Sequence, residues 1–264
     1  GVEFVVEATG KFLTFDSAKK HISSGAKKVV ISAPSKDETP MFVYGVNHNK
    51  YSLNMNVISN ASCTTNCIAP ILKVIDENFG VSNGMMSTIH AVTSTQKSID
   101  GINSENWRLG RGSFQNIIPT TTGATKALSK ILPSMKDKIT GMSFRVPVAN
   151  VSVVDLTLNI KQKTNYNFIC DVVKQASENE LEGVLGFTDE EVVSSDFNYD
   201  TRSCIFDAKA GAMLGDHLLK LVCWYDNEFA YSNKIIEMIR YIHICDKRCI
   251  FDNIENQIFK NNIT

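Results

Sequence analysis

The chain has 264 residues, of which 43% are hydrophobic, with 27 basic against 28 acidic side chains and a formal net charge of -1. That balance suits a globular protein with a sizeable core and offers no basic stripe for nucleic acid or an anionic membrane surface. No apolar run approaches the roughly 20 residues that cross a bilayer, and Gly1–Glu7 lacks the basic start of a secretory signal. The seven cysteines are odd in number and scattered, which points to a reducing, cytoplasmic setting.

The elements read as follows. Val2–Val6 is a strand, and an opening on a strand without a Met suits a natural start and a truncated or processed product equally. Ser17–Ser23 is a helix closed by Gly25. Lys28–Ala33 is a strand with a continuously apolar middle, as buried parallel strands have, and Pro34 breaks it. Val57–Ile58 is a third strand. This β–α–β rhythm suits a doubly wound sheet, in which ligands bind beyond the carboxyl ends of the strands. Thr9, Ser32 and Ser59-Asn60 all lie at such ends.

A helix over Thr64–Phe79 follows, with Pro70 inside it as a mark against an ideal geometry. Strands are then read at Gly84–Val92, Thr140–Pro147, Val151–Lys161, Ile205–Phe206 and Leu218–Trp224. Helices are read at Thr122–Leu132, Tyr166–Glu178 and Glu228–His243. The polar stretch Thr93–Gln115 is long enough for a functional or interface loop. The fold class expected is α/β plus α+β: a partial doubly wound, Rossmann-like nucleotide-binding domain (1–62), then a catalytic domain on a mixed or antiparallel sheet (63–226). A C-terminal helix (227–243) returns to the first domain, and 244–264 is a loosely attached tail.

The chemistry concentrates at Ser59–Ile68. A polar turn closes on Cys63, just where a helix starts, so the unpaired N–H groups and positive dipole end favour thiolate over thiol there. A buried structural thiol is the plain alternative, but the crowd of Ser, Thr and Asn around Cys63 favours a nucleophile. Among five histidines, His90 is the candidate partner, near the end of a strand and ahead of the long polar loop. Ser62 and Thr64 flank the cysteine. Thr120–Gly123 is a second capped helix start, suited to binding an anion. Arg145 sits in an apolar strand and needs a partner. Cys63 and Cys67 lack the companions of a zinc site, so no metal is expected. No G-x-G-x-x-G occurs.

Ala61–Cys67, with Val5–Gly10, Ile31–Ser35, Asn116–Pro119, Gly141–Pro147 and Trp224–Phe229, resembles the phosphorylating glyceraldehyde-3-phosphate dehydrogenase family over residues 1 to about 243. Erythrose-4-phosphate dehydrogenases share the cysteine signature, but Pro119–Ala124 looks more like the triose enzyme. The resemblance implies a glycolytic oxidoreductase. Cys63 attacks the aldehyde of glyceraldehyde 3-phosphate, and His90 lowers the thiol pKa and takes the proton. A thioester forms with hydride transfer to NAD, and inorganic phosphate then attacks it. The resemblance places the substrate phosphate on Thr93 and Arg145, and the attacking phosphate near Ser62, Thr64, Thr122 and Gly123. It places NAD contacts at Thr9, Ser32 and Asn227. It also implies a homotetramer, through the loop around 94–118.

The tail after His243 has no counterpart in the family. Two other readings stand beside the enzyme: a non-catalytic relative serving as a binding or assembly partner, and a Cys–His hydrolase, which leaves Thr9, Ser32 and Asn227 without a purpose. Gly1 follows the point where the family carries its pyrophosphate loop and ribose-binding acid, so this polypeptide is expected to bind NAD poorly. Calorimetric titration with NAD checks this: affinity equal to that of longer relatives contradicts the expectation.

Overall fold

The computed structural model describes residues 1–104 and 106–261. A small parallel sheet comes first, ordered β1 (Phe4–Glu7), β2 (Lys28–Ile31), β3 (Val57–Ser59). All of β2 is buried, as its apolar run predicts for a central parallel strand. Helix α1 (Phe15–Ser23) crosses between β1 and β2, started by a capping box in which Thr14 accepts from the Ser17 N–H. Because β1, β2 and β3 run in parallel, their carboxyl ends share one edge, and Thr9, Ser32 and Asn60 lie along it.

The second sheet has the order β5-β6-β4-β7-β11-β9-β8, with β10 (Ala212–Leu214) paired to β11. Its strands are β4 (Val81–His90), β5 (Ile118–Thr121), β6 (Ile139–Arg145), β7 (Ser152–Ile160), β8 (Leu185–Thr188), β9 (Cys204–Asp207) and β11 (Leu218–Tyr225). Strand β7 buries alternate residues, as its sequence alternation predicts for a sheet covered on one face. Strands β4 and β6 are parallel, pairing His90 with Arg145; β4–β7 and β7–β11 are antiparallel. The ends of β4, β6 and β11 therefore gather at one edge.

Helix α2 (Cys63–Phe79) joins the sheets. It leaves the carboxyl end of β3 and packs against β4, β7, β9, β11, α3 (Ala124–Ile131) and α4 (Tyr166–Glu178). Ile68, Ile71, Leu72 and Ile75 are completely buried in the main core. Pro70 does not end the helix, and it is buried with its neighbours. Burying a Leu or Ile is worth about 1.5–3 kcal/mol each, and several such residues outweigh the roughly 3 kcal/mol cost of an interior proline.

Helix α5 (Phe229–Asn261) begins where Asp226 Oδ1 accepts from the Glu228 and Phe229 N–H groups. Its Met238 and Ile242 form a second core with Val30, Phe42 and Ile58 of the small-sheet region. The sequence reading ends this helix near His243; the structure continues it, and the Tyr51 hydroxyl donates to Asp246 at 2.8 Å. That contact comes from a residue 195 positions away, so local sequence carries no sign of it. Residues 262–264 of the expected tail lie outside the described residues. No described helix is long and apolar enough to cross a membrane.

Leu72→Ala should lower stability by about 2–5 kcal/mol, the cost of an unfilled cavity in a close-packed core. Urea unfolding checks it: the midpoint falls with an unchanged slope, and a loss under about 1 kcal/mol contradicts the central place given to α2.

Candidate active site

The turn between β3 and α2 is held in a costly shape. Ala61 has φ of +57°, a left-handed conformation that costs a non-glycine residue roughly 1–2 kcal/mol. Neighbouring groups satisfy its backbone. The Ala61 N–H donates to Ser59 Oγ, and the Ser59 hydroxyl donates to the Ala33 carbonyl. Asn66 Nδ2 donates to the Asn60 and Ser62 carbonyls. The Tyr231 hydroxyl, reaching from α5, donates to the Ala61 carbonyl at 2.8 Å. Ser62 caps the helix, its Oγ accepting from the Thr65 N–H at 3.1 Å. The result puts Cys63 on the first turn of α2, half-buried and facing the end of β4.

There its Sγ lies 3.5 Å from His90 Nε2. The other ring nitrogen, Nδ1, lies 2.8 Å from the Ala91 carbonyl and 2.5 Å from Arg145 Nη1. The Ala91 carbonyl only accepts and the Arg145 N–H only donates, so Nδ1 lies between opposite partners, and Nε2 is the ring nitrogen that faces the thiol. Burial and the adjacent Arg145 guanidinium hold His90 down at about 4. Burial pushes the Cys63 thiol up, against the opposing pull of Thr64 hydrogen bonds and Arg145. Enclosure therefore works against both charges of the expected pair, the thiolate on Cys63 and an imidazolium on His90, and opposes the pull of the helix start.

One pocket of about 180 Å³ brings together Ser62, Cys63, Thr64, His90, Thr122, Gly123 and Arg145. Thr64 is buried, and its hydroxyl is joined to the Tyr225 hydroxyl, itself joined to that of Thr88. Thr122 Oγ1 accepts from the Ala124 N–H at the start of α3. Thr93 is not in the lining; it opens the loop after β4, its N–H donating to Gln96 Oε1. Thr9 and Ser32 lie at the small-sheet edge instead, with the Thr9 hydroxyl on Glu7 and the Ser32 N–H on the Glu7 carbonyl.

Asn227 follows β11. Its Oδ1 accepts from the Ser152 hydroxyl, and Ser152 Oγ accepts from the Ala91 N–H. Asn227 is thereby tied to the strand end that carries His90. Its Nδ2 has no protein partner among the described residues, so a fixed amide donor remains for a ligand.

The sequence reading missed Ser143 and the Tyr225 hydroxyl. Ser143 lines the pocket, yet its buried Oγ has no protein partner. It lies between Thr88 and Thr120 across the sheet, an arrangement that pairing alone creates. Tyr225 belongs to the Trp224–Phe229 motif, but nothing local says that its hydroxyl bridges α2 and β4.

The family profile described as "Glyceraldehyde 3-phosphate dehydrogenase, C-terminal domain" matches residues 62–227. The chain belongs to the glyceraldehyde-3-phosphate dehydrogenase family. It is 56% identical over 242 residues to glyceraldehyde-3-phosphate dehydrogenase A of Escherichia coli K12, covering 92% of this chain and 73% of that protein. It is 55% identical over 247 residues to the muscle glyceraldehyde-3-phosphate dehydrogenase of Jaculus orientalis, covering 94% of this chain and 67% of that one.

The resting pair sets a pH test. His90 is neutral and able to accept a proton above about pH 4 and loses that ability as pH falls through it. Alkylation of Cys63 by iodoacetamide should therefore hold a plateau through pH 6–7. In His90→Asn the rate should drop about tenfold per pH unit below the ordinary thiol range near 8.5. Superimposable profiles contradict the assignment of His90 as the base.

Proposed function

We propose that this chain carries out the glycolytic oxidation and phosphorylation of glyceraldehyde 3-phosphate to 1,3-bisphosphoglycerate, in the cytoplasm, with NAD as cofactor. The observation that carries the reading is the Cys63–His90 contact inside a pocket that also holds Arg145 and two helix starts. Cys63 Sγ adds to the aldehyde carbon while its proton passes by way of His90 Nε2 to the carbonyl oxygen, giving a thiohemiacetal; Nε2 then takes that hydroxyl proton as hydride leaves. Arg145, with Thr93 at the loop that follows β4, holds the phosphate of the substrate. NAD, when bound, accepts the hydride whose loss turns the thiohemiacetal into a thioester. Ser62, Thr64, Thr122 and Gly123 hold inorganic phosphate, whose oxygen displaces the Cys63 sulfur to leave an acyl phosphate. Holding a second reactant beside the bound acyl group converts a bimolecular attack into a local one.

Thr9, Ser32 and Asn227 orient the nicotinamide end; Asn227 is fixed for this by Ser152. In this division residues 1–62 with α5 form the cofactor lobe and 63–226 the catalytic lobe. A homotetramer is supported by Ile99, Ile102, Trp107 and Phe114, large apolar side chains exposed on the loop around 94–118.

Cys63→Ser should abolish phosphate-dependent NADH formation from glyceraldehyde 3-phosphate, measured at 340 nm with NAD in excess. A folded parent chain that forms no NADH, or a serine variant that matches it, sinks the reading.

A further inference from the structure

Beside the Cys63 pocket lies a larger groove of about 390 Å³, with Pro34, Ser35, Lys36, Glu38, Gly123, Lys126 and Lys130 in its lining. Pro34 and Gly123 line both the groove and the pocket, so the two adjoin. Three lysines face this space against one carboxylate. Lys130 is committed: its Nζ donates to the Asp37 carbonyl at 2.8 Å and pairs with Glu38 at 3.1 Å. That pair neutralises the single acid of the lining and leaves it clear of the other two lysines. Among the described residues the side chains of Lys36 and Lys126 make no hydrogen bond or ion pair. Lys126 and Lys130 are four apart on α3, and like charges at that spacing repel. Stability alone gives no reason for this arrangement.

We propose that the groove is an anion-collecting vestibule, in which Lys36 and Lys126 concentrate inorganic phosphate and pass it to the helix start at Thr122 and Gly123. The inference deepens the reading of the Cys63 pocket and rests on it. Lys126 is three residues along α3 from Gly123, about 5 Å of helix rise. That is inside the roughly 10 Å over which a charge is felt at 0.1 M salt. A cleft of one sign raises the local concentration of the opposite ion and speeds its arrival. The lysines touch neither the sulfur nor the imidazole, so they act on capture and not on chemistry.

The test compares two alkylating reagents on Cys63, followed by mass spectrometry of its peptide. Iodoacetate is an anion; iodoacetamide is neutral and of similar size. In the Lys36→Ala/Lys126→Ala chain the ratio of iodoacetate to iodoacetamide rates should fall about two- to fivefold at low salt. It should fall further in Lys36→Glu/Lys126→Glu, with the iodoacetamide rate unchanged. The difference should vanish near 1 M salt, where screening acts within about 3 Å. The phosphate concentration that halves iodoacetate labelling should rise by the same factor in the alanine variant. An unchanged ratio, or a parent chain that phosphate does not protect, overturns the proposal. Slow iodoacetamide labelling of the parent at neutral pH counts against the reactive cysteine instead. The ratio is still read, because raising the pH ionises any thiol.

Discussion

Cys63 meets His90 because a single helix, α2, starts at the edge of one sheet and runs beneath another. The distance of 3.5 Å between sulfur and imidazole is a consequence of that placement. The small parallel sheet fixes where α2 starts, through β3 and the left-handed Ala61. The large sheet fixes where His90 ends, through the pairing of β4 with β6 and β7. The buried apolar face of α2 holds the two frames together, and Tyr231 adds a tie from α5 to the turn itself. A close-packed core does not deform smoothly, so the catalytic distance is set as firmly as the core.

Enclosure then sets the chemistry. A helix N-terminus lowers a thiol pKa when the thiol is otherwise in water. Here burial opposes the charge on both partners, pushing the thiol up and the imidazole down. His90 Nδ1 sits between the Ala91 carbonyl and Arg145, which leaves Nε2 as the nitrogen that faces the sulfur. Arg145 beside the ring opposes an imidazolium there.

Much of this was legible in the chain itself. Ser62 and Thr64 flank a cysteine where a helix is read to start, and α2 starts there with Ser62 as its cap. The alternation over Val151–Lys161 reads as a half-covered strand, and β7 is one. The short strands β5, β8 and β10 were not read, because three or four residues show no usable period. The helix read through Pro70 over Thr64–Phe79 is there as α2: local geometry argues against the proline, and burial overrides local geometry. The end of α5 was misplaced because its continuation is tied down by Tyr51, far away in sequence.

The sequence by itself determined which residues could do chemistry: a cysteine at a strand-to-helix turn, hydroxyls at two helix starts, a histidine at a strand end. Those are statements about neighbours along the chain, where backbone propensity and capping act. Tertiary structure alone decided that Cys63 and His90, 27 positions apart, would touch, and that both would be shielded from water. It also decided that Ser143 would face the pocket and that Lys36 and Lys126 would share one groove. Each of these depends on how sheets and helices pack, and on the water that the packing removes.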